Sequence, residues 1–422
     1  NENTVKVDGK TYAKGETVKV IKTNDKGFAT TGDDTLPYGD YIIRETATND
    51  SYLNTSDEMH VTVSEDGKIY AFNAKDDIVR GGVKITKHDI ENGTSTPIGG
   101  ASIDGTQFEV KTLNDHSIIA DGVTYTKGQV VTTLTIKDGE ASTANDLLPR
   151  GLYSIQEVKS GEGYLLTDGK AHEFRIEKNG ELVNPINGSF ENQVMRSDLE
   201  FTKKGDDGSD RLAGIAFKVT SKTTGESHVA VTDENGYFSS ASSWNKHTQN
   251  TNGNDWALDA DGVIDSDELD ATAGIWFGGT EPDDSKGALP YDTYSIEELR
   301  CTANEGYQLV ETTVIISRDG KVYDFGTLTD VKASITTKAF DPQDGDSLVG
   351  MGYVHIADKV NYSNLIPGRD YKLVAELHDA STGDILTDEN GEDIVTEQTL
   401  TASEPTGFEY VDFQLSTYDL GG

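Results

Sequence analysis

The side chains with most chemical potential sit at the ends of three similar ten-residue phrases: LPYGDYIIRE at 36–45, LPRGLYSIQE at 148–157 and LPYDTYSIEE at 289–298. Successive side chains of a strand point to opposite faces. Glu45, Glu157 and Glu298 therefore share the faces of Tyr41/Ile43, Tyr153/Ile155 and Tyr294/Ile296. A strand-end glutamate is ordinarily half exposed beside a lysine. On an apolar face a carboxylate is costly unless it is paired or protonated, and the threefold recurrence calls for a chemical reason.

The second phrase has the fullest surroundings. The run SFENQV (189–194) puts Asn192 on one face with Phe190 and Val194, and VKITK (83–87) offers Lys84 and Lys87. Burial lowers the pKa of a lysine and raises that of a glutamate, so the pair can exist as neutral amine and protonated acid. A neutral amine is a nucleophile. The acid can polarise the Asn192 carboxamide and move protons as ammonia leaves, with the effective concentration of an intramolecular reaction. The product is a Lys–Asn isopeptide bond.

The elements that would hold these groups repeat along the chain. VKVDGKTYAKGETVKVIKTNDKG (5–27) and IIADGVTYTKGQVVTTLTIKDG (118–139) share a DG-x-TY-x-KG core, followed by the LP…E phrase and by SYLNT (51–55) or GYLLT (163–167). The second copy is preceded by about forty more residues, from GGVKITKHD (81–89), for which the first copy has no room. A third copy opens DLEFTKKGDDG (198–208) and carries an insertion over about 240–288 before GYQLV (306–310). The fourth segment differs, with ITTKAFD (335–341) and a long run over 360–386, and it stops at DLGG while the strand pattern still runs. The expected segments are 1–80 lacking its opening strands, 81–197 complete, 198–332 with the insertion, and 333–422 lacking its last strand. Alternating runs with Asp-Gly or Asn-Gly turns, such as HVTVSEDGKIYAF (60–72), EFRIEKNGELV (173–183) and TVIISRDGKVYDF (313–325), read as strand–turn–strand. No segment keeps a helical period over three turns. The fold class is all-β, with immunoglobulin-like sandwich modules strung in line.

Bulk composition agrees. A length of 422 residues suits three or four domains, and 44 Gly and 18 Tyr with 34% hydrophobic residues suit small β-domains better than a disordered chain. A net charge of −38, from 74 acids against 36 bases, argues against nucleic acid as a partner and for a solvated exterior protein. The single cysteine, Cys301, leaves no disulfide to brace the modules. No membrane-spanning stretch, signal peptide or lipidation motif is present.

VKITKHD, YSIQE and FENQV together resemble the collagen-adhesin B-type (SpaA-type, prealbumin-like) domains of Gram-positive surface proteins and pili. The resemblance covers the first three segments and is strongest in the second. It implies an autocatalytic bond between first and last strands, with Lys84 as nucleophile, Glu157 as proton shuttle and Asn192 as acceptor. Simple alternation instead places Lys87 on the face of Val83 and Ile85, so Lys87 remains the alternative. In the first copy Glu45 and Asp76 match the acid and acceptor. In the third, Glu298 and Asp330 match them, Glu200 stands at the Lys84 position, and Lys203 would have to substitute. The pattern V-x-Y-x-N-L-x-P-G-x-x-Y (360–371) resembles the Thr–Gln ester-bond domain of related adhesins. That likeness implies Thr337 as the ester-forming residue, Asp358 as an acidic helper, and a glutamine strand expected beyond DLGG.

Such a crosslink from Lys84 to Asn192 would enclose about a hundred residues and stabilise by roughly 4–5 kcal/mol on a chain-entropy estimate. The resulting expectation is a stalk segment of a cell-wall-anchored adhesin or pilin-like protein, extracellular, with self-modification rather than turnover catalysis. No cofactor or metal is expected, nor membrane insertion, and host-surface or matrix ligands would be bound elsewhere in the parent. The competing reading is a secreted carbohydrate-binding protein using the insertion, whose SSWNKHTQNTN (242–252) offers Trp244, His247 and amides to a glycan. DADGVIDSDE (259–268) places Asp259, Asp261, Gly262, Ile264, Asp265 and Glu268 at positions 3, 5, 6, 8, 9 and 12 of an EF-hand loop, but Ala257 at position 1 cannot bind calcium. The eight histidines show no zinc spacing, and Cys301 reads as a buried structural thiol.

Overall fold

The alternating runs of the second repeat fold into two sheets around one core. One sheet orders the strands Val130–Thr135, Gln107–Thr112, Gly151–Lys159 and Ala171–Ile176. The other gathers around the opening strand Arg80–Asp89, which Glu140–Ser142, Leu148–Pro149, Leu182–Val183 and Phe190–Asn192 all join. Val83 and Ile85 from the second sheet meet Phe108, Val110, Tyr153 and Ile155 from the first. The structure, a computed structural model, describes residues 1–55, 57–206, 211–248, 253–347, 350–388 and 390–418.

The third repeat repeats this plan. Ser227–Val231, Ala216–Ser221, Asp292–Glu298 and Glu311–Ile316 make one sheet, and the opening strand Arg196–Gly205 carries Tyr237–Ser239, Leu289–Pro290 and the closing strand Val322–Asp330. Opening and closing strands run parallel, with Lys203 opposite Leu328 and Gly205 opposite Asp330. Lys203 and Asp330 are therefore on one face, two residues apart in register.

Asp8-Gly9 and Asp121-Gly122 close short hairpins, but Asn179-Gly180 and Asp319-Gly320 do not close the hairpins expected of them. Leu182–Val183, after Asn179-Gly180, pairs in parallel with Gly82–Val83 of the other sheet, and Val322–Asp330, after Asp319-Gly320, does likewise. Each turn is an arch from one sheet to the other, and Gly180 (φ +74°) and Gly320 (φ +63°) supply the left-handed backbone. In the first segment only Met59–Val63 of the 60–72 run forms a strand, paired with Gly39–Ile43.

The LP phrase has a structural meaning of its own. In all three copies the tyrosine hydroxyl donates to the proline carbonyl four residues earlier: Tyr41 to Pro37 at 2.8 Å, Tyr153 to Pro149 at 2.7 Å and Tyr294 to Pro290 at 2.9 Å. This bond fixes the corner from which the glutamate strand departs.

In the fourth segment Ser334–Phe340, Tyr353–Ser363 and Gly407–Ser416 form an antiparallel sheet, and Asp370–Glu376 pairs with Val395–Thr401. The chain divides into two compact units, one comprising Asn1–His88, Ile103–Glu162 and Leu166–Asn192, the other Asp89–Ser102, Gly163–Leu165 and Gln193–Gly422. Among the described residues no helix is long and apolar enough to cross a membrane.

Candidate functional site: buried lysine–acid centres

Along the opening strand of the second repeat, alternation buries Val83, Ile85 and Lys87 completely. Lys87 Nζ donates to Glu157 Oε2 at 3.0 Å, and Asn192 Nδ2 donates to Glu157 Oε1 at 2.5 Å. Asn192 is fully buried and Glu157 nearly so, and Asn192 Oδ1 accepts from Thr167 N at 3.3 Å. Burial among apolar groups lowers the Lys87 ammonium below its usual range, against the opposing pull of Glu157. One glutamate thus holds an amine and a carboxamide side by side.

Lys84 is elsewhere. It pairs with Glu140 at 2.7 Å and leaves 45% of its side chain exposed. The expectation that Lys84 is the nucleophile is corrected: its strand position points it away from Val83 and Ile85, so it cannot reach the face that carries Glu157.

The third repeat builds a second centre. Lys203, Glu298 and Asp330 are buried together; Lys203 Nζ lies 2.8 Å from Glu298 Oε2 and also donates to Asp330 Oδ1. Glu200, at the position matching Lys84, accepts instead from Tyr237 at 2.6 Å. Lys203 matches Lys87 in strand register, and losing a lysine at position 200 takes nothing from the centre. Burial first, and the neighbouring Glu298 after it, raise the Asp330 carboxyl to about 7 even though Lys203 pulls the other way.

The first segment assembles no such centre. Glu45 and Asp76 are half-buried, and Asp76 accepts from Thr48 at 2.6 Å and from Thr55 N at 3.4 Å. Among the described residues the buried lysines are Lys87 and Lys203, so none faces Glu45.

In the fourth segment Thr337 lies on the edge strand directly opposite Val360, and Asp358 is opposite Ala339. Opposed residues share a face, so Thr337 and Asp358 are neighbours on the side that carries the buried Val360 and Val411. Burial raises the Asp358 carboxyl, and its Oδ1 has no hydrogen-bond partner among the described residues. Glu409, opposite Val360 on the next strand, adds a second acid to this face.

The remaining sequence signals resolve into packing. Asp259 Oδ1 accepts from Asp261 N and Val263 N, at 2.9 and 2.8 Å, which closes a tight turn. Asp265 accepts from Asp267 N to cap the 3-10 turn Ser266–Glu268. Among the described residues no group of three or more His, Cys, Asp or Glu could hold a metal ion. Trp244 packs edge-on against Tyr237, and the buried His247 bonds the carbonyls of Ser240 and Asp283. Residues 249–252 of that amide-rich stretch lie outside the described residues. Cys301 is buried with its thiol toward the Gly214 carbonyl at 3.6 Å.

Two buried polar residues were not singled out from the sequence. Asn304 donates to Glu298 Oε1 at 2.7 Å, and Val310 N donates to Glu298 Oε2 at 3.0 Å. Arg196, also unremarked, pairs with Glu91 at 2.8 Å and stacks 3.8 Å over Trp276, anchoring the start of the third repeat's opening strand.

These are tandem all-β modules, of which the second and third hold a buried amine–acid centre. Residues 3–77 and 81–188 match the prealbumin-like fold domain SpaA, and residues 333–422 match the T-Q ester bond containing domain. Over those residues the chain is similar to SpaA prealbumin-like domains and to a T-Q ester-bond domain. No curated protein matches the sequence. Among solved structures, the Bacillus anthracis TIE protein aligns at 17% identity and a TM-score of 0.37, covering 85% of this chain and 51% of its own. A streptococcal ancillary pilin aligns at 20% identity and 0.24, covering 71% and 76%. The shaft pilin SpaA of Lactobacillus rhamnosus GG aligns at 13% and 0.22, covering 61% and 100%. The chain spans about half the length of the TIE protein.

Proposed function

We propose that the chain is a stalk segment of a Gram-positive pilin-like or adhesin surface protein, extracellular and carried on the cell wall by its parent, whose second and third repeats crosslink themselves. The observation that carries this reading is Glu157 holding Lys87 on one oxygen and Asn192 on the other, all three buried. Lys87 passes a proton to Glu157, and its free amine attacks Asn192 Cγ. The new C–N bond forms as Cγ–Nδ2 breaks, and the second amine proton leaves with the amide nitrogen as ammonia. Glu157 ends protonated, so charge is removed from the core as the bond is made. At Lys203 and Asp330 the same sequence, with Glu298 as the proton acceptor, releases water. The ligands of the parent protein are bound outside these repeats, and the modules serve as load-bearing spacers. In the fourth segment Thr337, with Asp358 beside it, is the hydroxyl for an ester to a glutamine carboxamide.

The test is intact mass. Over residues 81–332, the second and third repeats, the wild-type chain is expected to be lighter than its sequence by one ammonia and one water. Lys87→Ala should restore the ammonia, while Lys84→Ala should leave both deficits in place. An ammonia deficit that survives Lys87→Ala defeats the assignment.

Asp330→Asn gives a sharper check on the third repeat. An amide made from the wild-type aspartate by loss of water is the same molecule as one made from the variant's asparagine by loss of ammonia. The crosslinked variant should therefore have the wild-type mass, whereas uncrosslinked chains would differ by the Asp-to-Asn increment.

A further inference from the structure

The two centres differ in who donates to the glutamate. In the second repeat the acceptor Asn192 itself donates to Glu157 Oε1. Asp330 has no amide hydrogen to give, and in the third repeat the matching oxygen is taken by Asn304, at 2.7 Å. Asn304 is fully buried in the 3-10 turn Thr302–Asn304, with Oδ1 accepting from Cys301 N at 2.9 Å and Nδ2 also reaching the Leu299 carbonyl at 2.8 Å.

Glu298 consequently receives hydrogens from Lys203, Asn304 and Val310 N. Asp330 receives one from Lys203, and its buried Oδ2 has no partner among the described residues. Donors favour the ionised form of a carboxyl, and burial without donors favours the neutral form. An acyl carbon is attacked more readily in a neutral acid than in a carboxylate, so the location of the shared proton governs the rate.

We propose that Asn304 is a positioning residue for crosslinking in the third repeat: by donating to Glu298 it keeps that side chain the proton acceptor and leaves Asp330 as the neutral acid that Lys203 attacks. The proposal rests on the crosslinking reading above. The charged groups facing Asp330 are Lys203 from the opening strand and Glu298 from the glutamate strand. Asp206 bonds the Asp330 carbonyl only through its backbone, its carboxylate being taken by Lys332 N at 3.2 Å. Arg300 lies beyond Asn304 and donates to its carbonyl.

Asn304→Asp separates the two duties of this side chain, because an aspartate still accepts from Cys301 N but has no hydrogen for Glu298. Full-length chain recovered as insoluble protein, in which the centre has never assembled, is refolded from denaturant over a range of pH. Water loss mapped to the Lys203–Asp330 peptide pair is followed by mass. Wild-type formation should slow as pH rises through the Asp330 titration. The variant should react on the order of 10- to 100-fold more slowly, as expected for losing a hydrogen bond to a charged group, with that falling limb moved to higher pH.

An unchanged rate and profile overturn the proposal. So does a uniform slowing with an unmoved limb, which would make Asn304 a cap for its turn and nothing more. Absence of water loss in the wild type would instead defeat the crosslinking reading itself. Folding is monitored by near-ultraviolet circular dichroism, since all three tryptophans, Trp244, Trp256 and Trp276, belong to this repeat. If Asn304→Asp does not fold, Asn304→Ser takes its place, with a polar side chain too short to reach Glu298.

Discussion

A chain carrying Glu157→Gln is expected to keep the ammonia that the wild type loses from its second repeat, and to unfold far more easily. Glutamine fills the same space but cannot accept the Lys87 proton, and general acid–base assistance of this kind is worth about 100- to 10,000-fold in rate. Without the bond the repeat loses roughly 4–5 kcal/mol of chain-entropy stabilisation, comparable with the whole stability of a marginal small domain. The mechanical consequence is larger still. With the proposed bond in place, tension entering at Arg80 would run along the opening strand to Lys87, cross to Asn192 and leave, so that the hundred or so residues between them would carry none of it. Single-molecule pulling should show no unfolding event from the second repeat of the wild type. Glu157→Gln should add one, with a contour gain of a few hundred ångströms at ~3.5 Å per residue. A wild-type repeat that extends by that length would defeat the crosslink, whatever its mass.

How much of this was legible beforehand can be traced residue by residue. The glutamates announced themselves because period-two alternation is a strict geometric rule, and that rule also pointed to Lys87. Family likeness favoured Lys84, but the face of Val83 and Ile85 decides which lysine is desolvated. The centre of the third repeat was half visible: Glu298 and Asp330 stood out, while Glu200 at the position matching Lys84 left Lys203, three residues on, only as a substitute. The Gly-containing turns were recognised as turns, but a turn sequence does not say whether its two strands share a sheet. It is the parallel pairing of Leu182–Val183 and of Val322–Asp330, each with its opening strand, that shows the two arches. Asn304 had no sequence signal. It reaches Glu298 from a one-turn 3-10 segment after the strand has ended, and such positions obey no period. The Tyr–Pro bond was hidden for the opposite reason, since its residues lay inside a motif already being read for its glutamate.

Lys203→Met is expected to make the stability of the third repeat fall as pH rises. In the proposed wild-type reaction the amine and the Asp330 carboxyl are consumed as the bond forms and Glu298 keeps the proton, which leaves nothing charged in the core. Methionine fills the lysine's space but leaves Glu298 and Asp330 face to face with no cation and no crosslink. Removing one partner from a buried charge cluster costs about 3–5 kcal/mol, and the missing bond a further 4–5 kcal/mol or so. The penalty depends on pH in a definite sense. The Asp330 carboxyl is already raised to about 7 with Lys203 present, and taking the cation away raises it further. A carboxyl with a folded-state pKa above its unfolded value, near 4, leaves stability intact below that unfolded value. Stability then drains away as pH climbs through the folded one. The variant should hold native tryptophan signals at mildly acid pH and lose them by mildly alkaline pH, while the crosslinked wild type keeps them throughout. Adding Asp330→Asn to the same chain removes one acid and should restore most of the alkaline stability. A Lys203→Met repeat equally stable across that range would mean that the two acids are not held together in the core, and the centre of the third repeat would fall with it.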